Sequence, residues 1–180
     1  MDDIEAVAHT LAATKRQGGR LFFAGSGGGA GHASHATADF RKIGGFEAYS
    51  VSDNVSELTA RVNDESWADA YSGWLQGSRI GPDDCLVVFS VGGGDEERQI
   101  SVNLVNAIKT AQSVGASIVG VVGREGGYLR TAATSSILIP TVNPSNITTH
   151  VEGFQALLWH LLVTHPQIGS AVPKWESTTV

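Results

Sequence analysis

The sequence predicts an α/β fold: a single doubly wound domain whose five-stranded, mainly parallel sheet is flanked by helices. Short apolar runs alternate with segments of helical periodicity, which is typical of βαβ units. Each apolar run is nearly continuous, as expected for strands covered by helices on both faces. The 22 glycines of the 180-residue chain cluster between strands and helices, which indicates particular backbone sites rather than a linker.

The length of the chain indicates one domain, because domains usually contain about 100–200 residues. No internal repeat or break in composition divides the sequence. We therefore expect a single domain over 1–180, made of an N-terminal helical segment (1–19), an α/β core (20–165) and a frayed tail (166–180).

The apolar runs predict the strands, and the periodic segments predict the helices. The strands are expected at Arg20–Gly25, Glu47–Val51, Asp84–Ser90, Ser117–Gly123 and Ser135–Pro140. The helices are expected at Asp3–Gln17, His32–Lys42, Val55–Arg61, Ser66–Leu75, Ser101–Val114, Gly126–Thr134 and Thr148–His165.

The charge balance excludes several classes of partner. With 12 Lys and Arg against 18 Asp and Glu and no basic run, the chain lacks the electrostatic footprint of a nucleic-acid binder. Its single cysteine, Cys85, lies in an apolar run and suits a reducing compartment. No apolar stretch approaches the roughly 18 residues of a membrane span, and the start of the chain is acidic where a signal peptide would be basic. We expect a cytoplasmic protein with a small-molecule ligand and no membrane partner.

A first glycine-rich loop, Gly25–Gly31, leads from a strand into a helix. Free backbone N–H groups and the helix dipole can hold an anion there. The loop also matches the dinucleotide pattern Gly-x-Gly-x-x-Ala, but the acidic residue about 20 positions on, Glu47, begins the second strand instead of ending it. A tight turn that binds no ligand is the alternative.

A second loop, Ser90–Gly94, is followed by the charged stretch Asp95–Gln99 and by Ser101, a good helix N-cap. Two anion-binding turns in one sheet suit a single phosphorylated ligand held between them. A dinucleotide enzyme has no need of the second turn, so we expect no nucleotide cofactor.

Four polar side chains on two helices are candidates for chemistry. His35 and Asp39 are four residues apart and share a helix face. Glu152 and His160 are eight apart on the last helix, which leaves them about 80° apart around its axis. That helix is otherwise apolar, so these polar groups need partners. A surface pair on the first helix and a hydrogen-bonded core histidine on the last are the structural alternatives.

Taken together, these motifs resemble the sugar isomerase (SIS) family and, within it, the phosphoheptose isomerases. The resemblance covers nearly the whole chain. It rests on Gly25-x-Gly27-Gly28 with His35-x-x-x-Asp39, Asp53-x-Val55-Ser56, Asn63-Asp64, Ser90 with its glycines, Gly123-Arg124-Glu125-Gly126-Gly127, and Glu152 through His160. It implies an aldose–ketose isomerase that interconverts sedoheptulose 7-phosphate and a manno-heptose 7-phosphate through an enediol.

The resemblance also implies roles for individual residues. Asp39 stands at the position of the family's catalytic base, a glutamate, and His160 at that of its acid–base partner. Some members bind zinc, which here would involve His35, Asp39, Glu152 and His160. The implied substrate and phosphate ligands are Ser26, Gly27, Gly28, Gly29, Asp64, Ser90, Gly92, Gly93 and Ser101.

Three departures from the family pattern change these expectations. Asp39 replaces the glutamate, Glu152 replaces a glutamine, and a serine-rich phosphate loop has become Ser90–Gly94 plus an insertion reaching Ser101. Lost hydroxyls and added acids weaken the case for a phosphate, whereas two imidazoles and two carboxylates strengthen the case for a divalent metal. Because the side chain of Asp39 is one methylene shorter, Glu152 is a rival for the base.

We also expect a homo-oligomer, a tetramer or at least a dimer, because SIS domains are commonly oligomeric. Two other functions stay open. A non-catalytic SIS module could bind a sugar phosphate and regulate a partner, and a nucleotide-dependent oxidoreductase would be revealed by its nicotinamide cofactor.

Overall fold

A computed structural model describes residues 2–172 together with Lys174 and Thr178. The helices in this part of the chain are α1 (Asp2–Arg16), α2 (Gly28–Lys42), α3 (Val55–Asp64), α4 (Ala70–Gly77), α5 (Val102–Ser113), α6 (Gly127–Ala132) and α7 (Ile147–Val163). The strands are β1 (Leu21–Gly25), β2 (Ala48–Ser50), β3 (Cys85–Ser90), β4 (Ser117–Val122) and β5 (Ser135–Leu138). No described helix is long and apolar enough to cross a membrane.

The five predicted strands form one sheet in the order β2-β1-β3-β4-β5, and every pairing is parallel. The predicted fold class is therefore confirmed. After β1 the chain moves outward to β2 and then returns across β1 to β3, which makes the β1–β3 boundary the switch point of the sheet. Gly25 and Phe89 are paired there at the carboxyl ends of their strands. Open α/β sheets bind ligands at such a position.

Both faces of the sheet are covered, as the continuous apolar runs predict. One core packs around Phe23, Phe40 and Trp159, under α1, α2 and α7. The other packs around Phe22 and Tyr71, under α4, α5 and α6. Because the Trp159 indole is fully buried, it anchors the helix face that carries the next residue, His160.

Two helices begin four residues away from their predicted start, whereas the others begin within one residue of it. Helix α2 begins at Gly28 instead of His32, so the glycines of the first loop form its first turn. Helix α4 begins at Ala70 instead of Ser66. In the turn before it, the Ser66 hydroxyl donates to the Asp69 carboxylate and accepts from the Asp69 N–H, which satisfies these groups outside the helix.

The tail is ordered further than we predicted from its sequence. Ile168 is fully buried, and the N–H groups of Ser170 and Ala171 donate to the Ile43 carbonyl beyond the end of α2. Burial of one branched apolar side chain stabilises by about 1.5–3 kcal/mol, and it acts together with these hydrogen bonds and one from Lys15 Nζ to the Ile168 carbonyl. Apart from Lys174 and Thr178, the tail beyond 172 lies outside the described residues.

Candidate active site

Helices α2 and α7 pack together, and they bring three of the predicted metal ligands into one cluster. His160 Nε2 lies 3.9 Å from Asp39 Oδ2. The His35 and His160 rings are nearly perpendicular, with centroids 5.6 Å apart. One ligand atom from each of the three residues lies within 4.8 Å of the other two. This spacing suits a divalent cation held between two imidazoles and a carboxylate.

A hydrogen bond orients the His160 ring as a metal ligand. Its Nδ1 lies 2.7 Å from the Ala156 carbonyl oxygen, and because a carbonyl can only accept, Nδ1 carries the hydrogen. The other ring nitrogen, Nε2, faces Asp39. Histidine ligands are commonly oriented by this kind of contact with a carbonyl. The Trp159 indole packs against both imidazoles. Its ring centroid lies 4.7 Å from that of His35, and it stacks on the ring of His160.

Glu152 does not join this cluster, so a single chain does not form the predicted set of four ligands. Its carboxylate lies over Gly28 in the first turn of α2, where a Cβ atom built on the glycine would be 2.5 Å from the carboxylate carbon and both oxygens. Glu152 and His160 are neighbours in angle, but eight residues of helix separate them by about 12 Å along the axis. This axial distance, which the angular positions do not reveal, keeps Glu152 out of the cluster.

A cavity of about 400 Å³ opens at the switch point of the sheet. Four of the predicted substrate ligands line it: Ser26, Ser90, Gly92 and Ser101. Ser101 precedes α5 with a left-handed φ of 51° and its side chain makes no capping hydrogen bond, which differs from its predicted N-cap role. Two arginines that we did not predict as ligands, Arg98 and Arg124, complete the charged part of the lining.

The other predicted substrate ligands, Gly27, Gly28, Gly29, Gly93 and Asp64, lie outside the lining of this cavity. Gly29 is packed against the Phe89 carbonyl and Gly28 against Glu152, so a phosphate at Gly28 would face a carboxylate. The Gly93 N–H already donates to Ser90 Oγ. Asp64 is exposed at the end of α3, where its carboxylate accepts from Asn63. Close packing thus accounts for several of these glycines without a ligand.

Two of the three carboxylates of the acidic insertion have positively charged partners, although Asp95 also lines the cavity. Asp95 Oδ2 lies 3.5 Å from Arg98 Nη1, and Glu96 Oε1 lies 2.6 Å from Lys109 Nζ on α5. From the sequence, we expected these acids to weaken phosphate binding. In the fold, two of their charges are balanced locally.

Buried polar residues that the sequence analysis missed support the site from beneath. Gln155 Nε2 donates to the carbonyls of Ser90 and Val121, which ties α7 to the carboxyl ends of β3 and β4. Asn103 Nδ2 donates to Ser26 Oγ under the first loop. Both amides are fully buried. A polar residue inside an apolar helical stretch is the sequence signal that could have identified them.

Comparisons with known proteins agree with this architecture. No family model matches the chain. The chain is 33% identical over 171 residues to the lincomycin biosynthesis protein LmbN of Streptomyces lincolnensis, covering 89% of this chain but only 60% of that protein. It is 30% identical over 166 residues to a phosphoheptose isomerase of Solidesulfovibrio magneticus, covering 88% and 74% of the two chains. The solved phosphoheptose isomerase of Neisseria gonorrhoeae superposes with a TM-score of 0.77 at 23% identity, over 90% of this chain and 83% of that one.

The parallel five-stranded sheet has the fold of the solved phosphoheptose isomerase, and the curated phosphoheptose isomerases at 30% identity show that the chain is a domain of the sugar isomerase (SIS) class. Sequence similarity identifies the family within this class, because a phosphoheptose isomerase that is 30% identical is matched over nearly three quarters of its length. The chain belongs to the phosphoheptose isomerase family. The predicted family and the predicted assignment to an isomerase enzyme are confirmed.

Proposed function

We propose that this chain is a sugar-phosphate aldose–ketose isomerase that interconverts sedoheptulose 7-phosphate and a manno-heptose 7-phosphate. The observation that carries the proposal is the convergence of His35, Asp39 and His160 in a chain of the phosphoheptose isomerase family. His35 and Asp39 lie about 10 and 16 Å along the α2 axis from Gly28, and the loop before Gly28 borders the switch-point cavity through Ser26. A phosphate in the cavity and a carbonyl at the cluster would then be the two ends of one substrate.

The reaction moves a proton between adjacent carbons through an enediol and needs both a base and an acid. A carboxylate removes the proton from the carbon beside the carbonyl and returns it to the neighbouring carbon. An imidazole serves the two oxygens, because its ordinary pKa lies near neutrality. His160 suits the acid–base role through the nitrogen that faces Asp39, and Asp39 and Glu152 are the two candidates for the base.

The cluster also fits a zinc ion. Two imidazoles and one carboxylate would provide three protein ligands, and the 52% exposure of the His160 side chain leaves room for a substrate oxygen as the fourth. A bound divalent ion would polarise the substrate carbonyl as a Lewis acid. Asp39 would then be engaged as a ligand, and the base would be Glu152 of a second copy, because within one chain the Glu152 carboxylate at Gly28 lies about 10 Å along α2 from His35. Without metal, Asp39 and His160 form the acid–base pair.

The decisive experiment is an isomerase assay over C5–C7 sugar phosphates with the chain as purified and after exhaustive chelation. Glu152→Gln and Asp39→Asn are compared in both states. If Glu152 is the base of a metal enzyme, Glu152→Gln abolishes turnover but keeps zinc, and chelation abolishes turnover of the unsubstituted chain. If the unsubstituted chain keeps full activity after chelation and Asp39→Asn loses activity, Asp39 and His160 act as an acid–base pair without metal. Sugar-phosphate binding without turnover would favour the alternative, a non-catalytic regulatory module.

We further propose that the enzyme is a homo-oligomer, a tetramer by analogy with SIS domains, that works in the cytoplasm. The support is an exposed apolar stripe on α7 formed by Phe154, Leu157 and Leu161, with exposures of 52%, 58% and 44%. These residues lie on the helix that carries His160, so a second copy packed there would enclose the cluster. Sedimentation of the unsubstituted chain and of Leu157→Glu tests this, and a monomeric unsubstituted chain with full activity contradicts it.

A further inference from the structure

Arg98 and Arg124 line the switch-point cavity, together with Asp95, where the family loop has serine hydroxyls. Ser90 Oγ accepts from the Gly93 N–H, which leaves its O–H as a single donor for a ligand. Arg98 and Arg124 both border the cavity, and both also border an adjoining hollow of about 440 Å³. The arginines therefore lie where the two spaces meet.

Arg124 is held over the cavity by a constrained backbone. It follows the carboxyl end of β4 and has a φ of 51°, a left-handed conformation that costs a non-glycine residue about 1 kcal/mol or more. The N–H of Gly123 donates to the Val91 carbonyl, and the N–H of Gly126 donates to the Gly123 carbonyl. The Arg124 side chain passes 3.6 Å from where a Cβ on Gly92 would be. Within the described residues, no carboxylate lies within 4.0 Å of its guanidinium.

Arg98 is provided by the insertion itself. Reciprocal backbone hydrogen bonds of 2.9 Å between Asp95 and Ile100 close the insertion into a small loop. The Asp95 carboxylate accepts from the Arg98 N–H at 3.0 Å and pairs with the Arg98 guanidinium at 3.5 Å. One acid thus both shapes the loop and orients the arginine, while most of the Arg98 side chain stays exposed.

We propose that Arg98 and Arg124 bind the phosphate monoester of the substrate from two sides, in place of the serine hydroxyls of the family loop. This inference rests on the proposed function for the identity of the ligand. Guanidinium groups form paired, charge-assisted hydrogen bonds with phosphate oxygens. The two arginines therefore determine that this site takes a phosphorylated sugar despite its glycine-rich loop.

The test measures binding of inorganic phosphate, sedoheptulose 7-phosphate and unphosphorylated sedoheptulose to the full chain by calorimetry, with KM and kcat beside it. Arg98→Gln and Arg124→Gln should each weaken both phosphate-containing ligands by about 10- to 100-fold, the range for losing one charge-assisted partner, and leave sedoheptulose unchanged. Arg124→Lys should lose less, because lysine keeps the charge but not the paired geometry. Arg130→Gln removes an exposed arginine of α6 outside the cavity and is the matched control. Circular dichroism checks that each variant is folded.

The inference is overturned if the unsubstituted chain binds no phosphate, if both glutamine variants bind it as tightly as the unsubstituted chain, or if they lose the phosphorylated and unphosphorylated sugars equally. Phosphate binding that depends on both arginines in a chain without isomerase activity supports the inference and refutes the proposed function. Turnover of sedoheptulose 7-phosphate with an unchanged KM in both variants supports the proposed function and refutes the inference.

Discussion

The carboxylate of Glu152 lies directly over Gly28, where a Cβ atom would be 2.5 Å from the carboxylate carbon and both oxygens. The contact joins the second turn of α7 to the first turn of α2. It places a negative charge at the positive end of the α2 dipole, a favourable arrangement. A side chain at position 28 would therefore displace Glu152, which we considered from the sequence both as a metal ligand and as a base.

Gly28→Ala should displace the Glu152 carboxylate while the fold survives, because the far end of a flexible side chain can move. If Glu152 is the base, a shift of about 1 Å should lower kcat by roughly 100-fold. Gly153→Ala is the control on α7, since open space surrounds that glycine, and it should keep full activity. An unchanged kcat in Gly28→Ala would argue against Glu152 as the base.

Zinc binding should depend on three residues and not on Glu152. His35→Ala and His160→Ala each remove one of the converging ligands, and zinc affinity should fall by at least about 100-fold, since losing even an outer hydrogen-bonding partner costs 10- to 100-fold. Glu152→Gln should bind zinc as the unsubstituted chain does. Metal content after dialysis and titration calorimetry measure both effects, and equal loss in Glu152→Gln would bring Glu152 into the ligand set through a neighbouring subunit.

Gln155→Met should destabilise the chain, because it leaves the Ser90 and Val121 carbonyls without the buried amide that donates to them. Losing these bonds should lower the free energy of unfolding by about 2 kcal/mol or more. Urea unfolding measures the change, and Gln76→Met, an exposed substitution on α4, should leave it nearly unaltered. A Gln155→Met chain as stable as its parent would show that the carbonyls find other donors.

Asp84→Asn should destabilise the fold without affecting the site. The carboxylate pairs with Arg20 at 2.8 Å and ties β1 to β3 at the edge opposite the cavity. Burial alone would raise the pKa of Asp84, but hydrogen bonds from Arg20 and the Gly81 N–H lower it below its ordinary value. A lowered pKa in the folded state stabilises the fold above the unfolded pKa near 3.9, and this contribution disappears as pH falls through the folded pKa.

The unfolding free energy of Asp84→Asn should therefore lie below that of the unsubstituted chain by about 2 kcal/mol at neutral pH, and the difference should shrink below about pH 4. Urea titrations at several pH values measure it, with exposed Asp83→Asn as the control. KM should not change. A difference that grows as the pH falls would contradict the direction of this pKa shift.

Cys85 should not react with thiol reagents in the folded chain. It is fully buried in β3, and burial raises the pKa of its thiol to about 12, so almost no nucleophilic thiolate exists at pH 8. Modification followed by mass spectrometry should be negligible in buffer and complete in denaturant. Rapid labelling of the folded chain would show that β3 opens locally.

The sequence determined the sheet, the alternation of helices and strands, and the family. Each strand is a continuous apolar run, and each helix has its own periodicity. These features therefore depend only on short, local stretches of sequence. The proximity of His35 and Asp39 is equally local, since residues four apart share a helix face. The conversion of the first glycines into the opening turn of α2 was not predicted, because it depends on close packing between Gly29 and the Phe89 carbonyl.

Only the tertiary structure decided which side chains meet. His160 joins His35 and Asp39 while Glu152 lies at Gly28, because the packing of α7 on α2 adds an axial offset to the angular positions that sequence spacing provides. The charged cavity is likewise formed by loops from separate strands, and the partners of Asp95 and Glu96 follow from how the insertion folds on α5. Contacts between distant segments depend on how the elements pack, and sequence periodicity specifies only the faces that they present.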